Sequence, residues 1–381
     1  MRLLYVSFIQ PSEKFGGGLV VLQTLSTLCK FAEVDYIGLE YDEREFQKYS
    51  IKVQEKYIVS ANTSLLDQLH NALKYHYTSS YYGGWVEACK QLNVKKYDYV
   101  YMDFTRHNFV ADWAYNNRIP LLIRAHNVEA DYSKSMFDNN KTLRNFIRKY
   151  ASKISEEICV NRAEKIIVLT ESDRKRFISL YGGDYKKYPI IPVCVKPFET
   201  EIYNNKGKKY ILITGSLWFG PNADGTKWFL ENVWSVLQTS LGDEYDLIIA
   251  GAKPNSFIVD APNKYDNVKV FSSPERIGPF YMGASVYIAP IFYGAGMKVK
   301  VAEALSCGLP VVATSHALTG YEAVRDLTYS ADTAIEYIQN INFIVSNDIK
   351  NEGAILDAFE NNYSFKASER KLRDIISKQE G

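Results

Sequence analysis

Apolar and polar positions alternate along the chain in two signatures. Short runs rich in Val, Ile, Leu and Tyr read as buried strands, and longer stretches with apolar residues at helical spacing separate most of them. The strand-like runs fall at 2–9, 34–39, 97–102, 120–125, 165–170 and 188–193, then at 209–214, 245–250, 267–271, 286–289 and 311–314. Such alternation predicts parallel sheets wrapped by helices, with ligands gathering at the carboxyl ends of the strands. Between the two series, residues 196–208 are polar and lose the pattern, which places an interdomain linker there.

Two strand–glycine–helix units stand out. In the first, a strand over 2–9 leads to Gly16, Gly17 and Gly18 and then to a helix through Leu19, Leu22 and Leu25. In the second, a strand ending at Pro290 leads to Gly294, Ala295 and Gly296. A helix over 297–307 follows, with Met297, Val301 and Leu305 at i, i+4 and i+8 and with Gly308 and Pro310 stopping it. A glycine turn opening a helix bares unpaired N–H groups at the positive end of the helix dipole, a ready phosphate site. Lys298 and Lys300 sit in that first turn, where positive charge opposes the dipole, and a bound anion reverses the sign. Glu303 lies among small and apolar residues, where it either binds a ligand or pairs with Lys300.

The length of 381 residues fits about two domains. Lys and Arg total 45 against 44 Asp and Glu, a balance that argues against a dedicated nucleic-acid binder. The five cysteines, Cys29, Cys89, Cys159, Cys194 and Cys307, are scattered and form no CxxC pair, so neither a disulfide framework nor a zinc site is suggested and a reducing cytosol is expected. No apolar run approaches the ~18 residues that a membrane span needs. The stretch 141–164 reads as one long amphipathic helix. Leu143, Phe146, Ile147, Tyr150, Ile154 and Ile158 share a face, and Lys141, Arg144, Arg148 and Lys149 make the first half basic. The expectation is an apolar face packed into the domain, with lying on an anionic membrane as the alternative.

The segment GAGMKVKVAEALSCGLPVVAT, residues 294–314, resembles the donor-binding segment of family-4 glycosyltransferases, retaining enzymes of the GT-B fold. The resemblance implies two Rossmann-like domains whose parallel sheets face each other across a cleft. The first, residues 1–196, would take the acceptor, and the second, 197–363, the nucleotide-diphosphate sugar, with a last helix over 364–381 packing back on the first. It implies that Gly294, Gly296, Met297, Lys298 and Val299 hold the diphosphate and that Glu303 binds the ribose hydroxyls. The family's first Glu has Ala295 in its place. Gly17 and Gly18 match the loop lining the cleft opposite the diphosphate. After the strand at 209–214, Gly215, Ser216 and Asn222 stand where many members carry an Arg and a Lys, and Asn222 is expected to cap the next helix. Lys298 is then the candidate for the missing charge, with Lys300 pairing with Glu303. In RAHNVE, residues 124–129, His126 emerges from a strand and resembles the active-site histidine. Asp103, Arg124 and Asn127 are acceptor-side candidates, Arg106 and His107 follow Asp103, and Thr170, Glu171 and Ser172 mark a further point on that edge.

The function these features imply is retaining transfer of a sugar to a glycan or lipid-linked glycan, as in bacterial surface polysaccharide synthesis. Neither metal nor cofactor is expected, and no Asp-x-Asp ends a strand. The expected place is the cytoplasm, with peripheral contact on the inner face of the plasma membrane. Two other readings share the fold: a nucleotide-sugar epimerase, and a non-catalytic sugar-nucleotide-binding subunit.

Overall fold

A computed structural model describes residues 1–13, 16–60, 64–76, 82–199, 201–294, 296–349 and 352–377. Ala295, singled out above, lies outside them. The chain divides into two compact units, one of Met1–Pro192 with the segment from Glu369 onward, the other of Val193–Ser368.

The first unit holds six parallel strands: β1 (Arg2–Ser7), β2 (Glu33–Gly38), β3 (Lys56–Ile58), β4 (Tyr99–Asp103), β5 (Leu121–Arg124) and β6 (Lys165–Ile167). They lie in the order β3-β2-β1-β4-β5-β6. The second unit holds β7 (Lys209–Ser216), β8 (Tyr245–Ala252), β9 (Val268–Ser272), β10 (Val286–Ala289), β11 (Val311–Ala313) and β12 (Thr328–Ser330), in the order β12-β11-β10-β7-β8-β9. The two orders are the same when each sheet is counted from its own first strand. Each sheet reverses direction once, between β1 and β4 and between β7 and β10, and such a reversal opens a crevice at the strands' carboxyl ends. Central strands are buried on both faces, as their unbroken Val, Ile, Leu and Tyr content requires.

Three expectations change. The run 188–193 forms no regular strand. Val168 bridges Ile190, and Pro189 and Pro192 interrupt the ladder because proline has no N–H to donate. The polar stretch 196–208 is not a free linker, since Phe198 stacks on Tyr281, Tyr203 packs on Phe271 and Phe280, and Asn205 bonds Asp246 at 2.9 Å. The third concerns the long helix, Leu143–Arg162, capped by Thr142. The face it buries is not its apolar stripe but a small and polar one, Ala151, Ser152, Ser155, Glu156, Cys159 and Val160. Leu143 is 73% exposed, and Phe146, Tyr150 and Ile154 are exposed as well. Close packing favours small residues at the contact, which leaves the larger apolar ones outside. The helix Leu65–Tyr75 behaves alike, with Leu65 at 78%, Leu66 at 80%, and Leu69 and Leu73 also exposed.

Within the first unit, the part of the last helix, Phe365–Ser377, that begins at Glu369 is held by the Glu369–Lys30 pair at 2.6 Å and by the Arg373 guanidinium over the Phe31 ring.

Candidate functional site

Each sheet reversal carries one group of side chains. In the second unit the end of β7 turns at Gly215, whose φ of 151° lies in the region that favours glycine. A Cβ there would stand 2.6 Å from Lys300 Nζ and 3.1 Å from Asn222 Nδ2, so the turn must be bare for these side chains to close over it. Asn222 Nδ2 donates to the Ser216 carbonyl at 3.1 Å, and its Oδ1 accepts from Lys300 Nζ at 2.5 Å. The helix containing Asn222 is Gly220–Phe229, with Phe219 at its N-cap position. Asn222 therefore sits inside the first turn, and its side chain serves β7 and Lys300 instead of capping.

The second helix of the site is Val299–Ser306, shorter than expected, with Lys298 at the N-cap position and Met297 ahead of it. This start fixes where the two lysines point. Lys298 turns back on its own loop and donates to the carbonyls of Gly294 at 3.0 Å and Gly296 at 2.7 Å. Gly294 also receives His316 Nε2 at 2.8 Å. Lys300 instead reaches across to Asn222 and the end of β7. Its expected pairing with Glu303 is replaced by this contact, and Glu303 accepts from the Tyr281 hydroxyl at 2.9 Å. Tyr281 is in turn 2.5 Å from Thr214 Oγ1, which lies 3.0 Å from the Tyr287 hydroxyl. Tyr321 closes the helix start, accepting from the Ala302 N–H at 3.0 Å and donating to the Lys298 carbonyl at 2.7 Å.

The electrostatics follow from partial burial. Burial pushes Lys298 down to about 8. It does the same to Lys300, with Glu303 opposing and Lys298 adding to the shift. Burial raises the Glu303 carboxyl, against the Tyr281 hydrogen bond and the Lys300 charge. Lys300 thus carries a costly charge whose only hydrogen-bond partner among the described residues is a neutral amide. An incoming dianion would offset that cost. Val299 and Lys300 also hold N–H groups that precede the first intrahelical bond.

In the first unit, the loop after β1 folds tightly on the helix Gly16–Leu28, where a Cβ on Gly18 would meet the Ser12 carbonyl at 2.5 Å. Gly17 lies one residue earlier in the same helix start. At the end of β4, the buried Asp103 accepts from the Tyr5 hydroxyl, and its Oδ1 lies 2.9 Å from His126 Nε2. A carboxylate can only accept, so His126 presents Nε2–H to it. Asp103 and Arg124 are paired in register across β4 and β5, and both are fully buried. Arg124 Nη2 donates to the carbonyls of Ile191 at 3.4 Å and Pro192 at 3.2 Å, while its Nε and Nη1 meet no acceptor among the described residues. Asn127 is half-buried. The His126 ring stacks on Phe104, centroids 4.1 Å apart, and the Arg106 guanidinium lies over the Phe104 ring at 4.6 Å. Phe104 holds a φ of 70°, unusual for a bulky residue and found where the surroundings over-determine the backbone. His107 is buried against Phe8, and burial, then Arg106, pushes it well below the ordinary imidazole range. Thr170 caps the helix Glu171–Tyr181, a structural task.

Among the described residues no cluster of three or more His, Cys, Asp or Glu side chains could hold a metal ion.

Residues 208–347 match the family model described as Glycosyl transferases group 1. The matched segment contains Gly215, Asn222, Tyr281, Lys298, Lys300 and Glu303. A Klebsiella pneumoniae protein described as an uncharacterized 44.6 kDa protein in the cps region is 28% identical over 237 residues. The match covers 58% of each chain, so this chain spans little more than half of that relative's length. Among solved structures, HepE of Anabaena in complex with UDP is 14% identical, with 99% of this chain and 100% of that one covered and a TM-score of 0.65. WaaG, a glycosyltransferase involved in lipopolysaccharide biosynthesis, is 14% identical, with 98% and 99% covered and a TM-score of 0.62. At these identities the likeness concerns the fold, and it is the GT-B fold.

Sequence reasoning paired Lys300 with Glu303 instead of Asn222, and it did not single out Tyr281. Lys300 had a signal, its place one turn before Glu303. Tyr281 had none, since its contact depends on where the helix Gly278–Gly283 lies in three dimensions.

Proposed function

We propose that this protein transfers a sugar from a nucleoside-diphosphate sugar to a glycan or lipid-linked glycan, with retention and without a metal, in the assembly of a surface polysaccharide. The observation that carries the reading is Lys300 Nζ held over the bare end of β7 at the sheet reversal, its charge unmatched by any carboxylate within ion-pair distance among the described residues. Glu303, on the same helix, is the candidate for the ribose hydroxyls. The proposed catalysis is positioning plus stabilisation of the charge that develops on the leaving diphosphate. That phosphate would accept the acceptor's proton on the face from which the sugar departs, which gives retention. His126, with Nε2 fixed by Asp103, is the candidate contact to the reacting sugar.

The neighbour HepE was solved with UDP and with UDP-glucose, which makes UDP the first probe. A calorimetric titration with UDP is expected to show binding, and Glu303→Gln to weaken it by roughly 1–3 kcal/mol through the lost charge-assisted bond. Unchanged affinity in that variant removes Glu303 from the ribose. A donor-only assay separates the rivals: isomerised donor indicates an epimerase, and binding without turnover on any acceptor indicates a binding subunit.

The acceptor side suggests a membrane surface. No described helix is long and apolar enough to cross a membrane. The exposed Leu143, Phe146, Tyr150 and Ile154 are accompanied by Lys141, Arg144, Arg148, Lys149 and Lys153, with no acidic residue between 139 and 155. Exposed apolar residues beside a cluster of cations fit the interface of an anionic bilayer, on the cytoplasmic face where nucleotide sugars are made. The protein is expected to float with vesicles containing anionic phospholipid and to stay behind with neutral ones. Equal recovery in the soluble fraction for both mixtures removes the idea.

A further inference from the structure

Three connections meet at one buried carboxylate in the first unit. Glu156, on the inward face of the helix Leu143–Arg162, is fully buried and takes two donors on each oxygen. Oε1 accepts from Thr105 Oγ1 at 2.6 Å and from the Glu129 N–H at 2.9 Å. Oε2 accepts from the Ala130 N–H at 3.0 Å and from the Tyr181 hydroxyl at 2.7 Å. Thr105 belongs to the loop after β4, Glu129 and Ala130 to the helix after β5, and Tyr181 to the helix after β6.

The arrangement supplies something the sequence leaves out. The helix Glu129–Asn139 has Val128 at its N-cap position and no side-chain cap of its own. The helix Asn108–Asn116 likewise has an uncapped His107 ahead of it. Glu156 caps the first from outside, and the preceding residue, Ser155, accepts from the Asn108 N–H at 3.3 Å and caps the second. Two adjacent residues of one helix thus hold the starts of the helices after β4 and after β5. A carboxylate at a helix N-terminus is favoured by the exposed amides and by the dipole.

Both held segments carry the His126 ring. Thr105 follows Phe104, on which the ring stacks. Glu129 follows His126 by three residues, and its side chain pairs with Arg106 at 3.4 Å, whose guanidinium also lies over the Phe104 ring. From this geometry we infer that Glu156 is a positioning residue of the His126 site, fixing the imidazole against Phe104 and Asp103 by holding both backbone segments that bear them. The inference rests on the proposed role of His126. It assigns no contact with substrate to Glu156.

The test compares variants that delete one hydrogen bond each. Thr105→Val frees the loop after β4, which bears Phe104, whereas Tyr181→Phe frees only the helix after β6. The readout is the pair of His126 ring-nitrogen resonances in labelled protein. Thr105→Val is expected to shift them and Tyr181→Phe to leave them as in the native protein. Glu156→Ala should shift them further and lower kcat on the order of 10- to 100-fold, as a small displacement of a reacting group does, with the donor KM within about twofold. Glu156→Gln, which keeps an oxygen for only one of the two amides and turns an NH2 toward the other, should recover part of kcat. Should Glu156→Ala fail to fold, the two single-bond variants decide. Resonances unmoved in Thr105→Val, or moved equally in both, overturn the inference and leave Glu156 as a general anchor. The resonances need no turnover, so the inference stands or falls separately from the transferase reading.

Discussion

Replacing Lys300 by methionine is expected to weaken binding of a nucleoside diphosphate by roughly 1.5–3 kcal/mol, about 10- to 150-fold, while the bare nucleoside loses almost nothing. Methionine keeps an apolar stem and removes only the charged head. That head lies over the Gly215 turn, on Asn222, at the sheet reversal between β7 and β10. Helix N-terminal amides contribute the equivalent of only about half a positive charge, too little for a diphosphate alone. Lys298→Met is expected to cost less, because its ammonium is engaged with the carbonyls of Gly294 and Gly296. Its loss would act through the loop, not through the phosphates. The ligand-free Lys300→Met protein should melt at an equal or higher temperature, since a partly buried cation with no carboxylate within ion-pair distance among the described residues has been removed. Equal loss for diphosphate and nucleoside, or a larger loss in Lys298→Met, would sink the assignment.

The contrast between these two lysines shows where sequence reasoning stops. The strand, the glycine turn and the helix were all legible in residues 287–314, because composition and period specify them. Which lysine reaches the site was not. The helix starts at Val299, two residues after the expected Met297, and each residue of offset rotates a side chain by about 100° around the axis. Boundaries are set by caps, and the cap here is Tyr321, distant in sequence. The short edge strands β3 and β12 were missed for a related reason. Each has three residues, and both owe their strand form to pairing with a neighbour.

The helix Leu143–Arg162 misled in a more instructive way. Its apolar stripe was read as the buried face. The residues that touch the unit are instead small, and among them sits Glu156, pushed up to about 7 by burial despite four donors. A polar residue within a run of Ala, Ser and Cys at helical spacing is the signal that was available. It resembles any solvated position until the helix is placed against β4 and β5.

Diphosphate affinity is expected to fall as pH rises through about 8, and the ligand-free protein to gain stability over the same range. Both follow from the lysine shifts. Burial pushes Lys298 and Lys300 from the ordinary 10.5 down to about 8. A lysine whose folded value is depressed is destabilising while charged. That cost is fully present below 8 and is relieved as pH climbs from 8 toward 10.5, because the unfolded chain alone then holds the proton. Binding has the opposite sign. A diphosphate beside Lys300 favours the ammonium and moves its titration back upward, so above 8 each binding event must take up a proton. Affinity should then decline by up to about tenfold per pH unit for one lysine. Well below 8 the lysines are already charged, and their contribution to proton uptake vanishes. Titrations with UDP at pH 7, 8, 9 and 9.5, each in two buffers of different ionisation enthalpy, measure affinity and proton uptake together. Lys300→Met should abolish most of the uptake, and Lys298→Met the smaller part. An affinity that stays level from pH 7 to 9.5 with no proton uptake would mean that neither lysine is neutral in the empty site, and the charge that meets the diphosphate would then have to lie elsewhere.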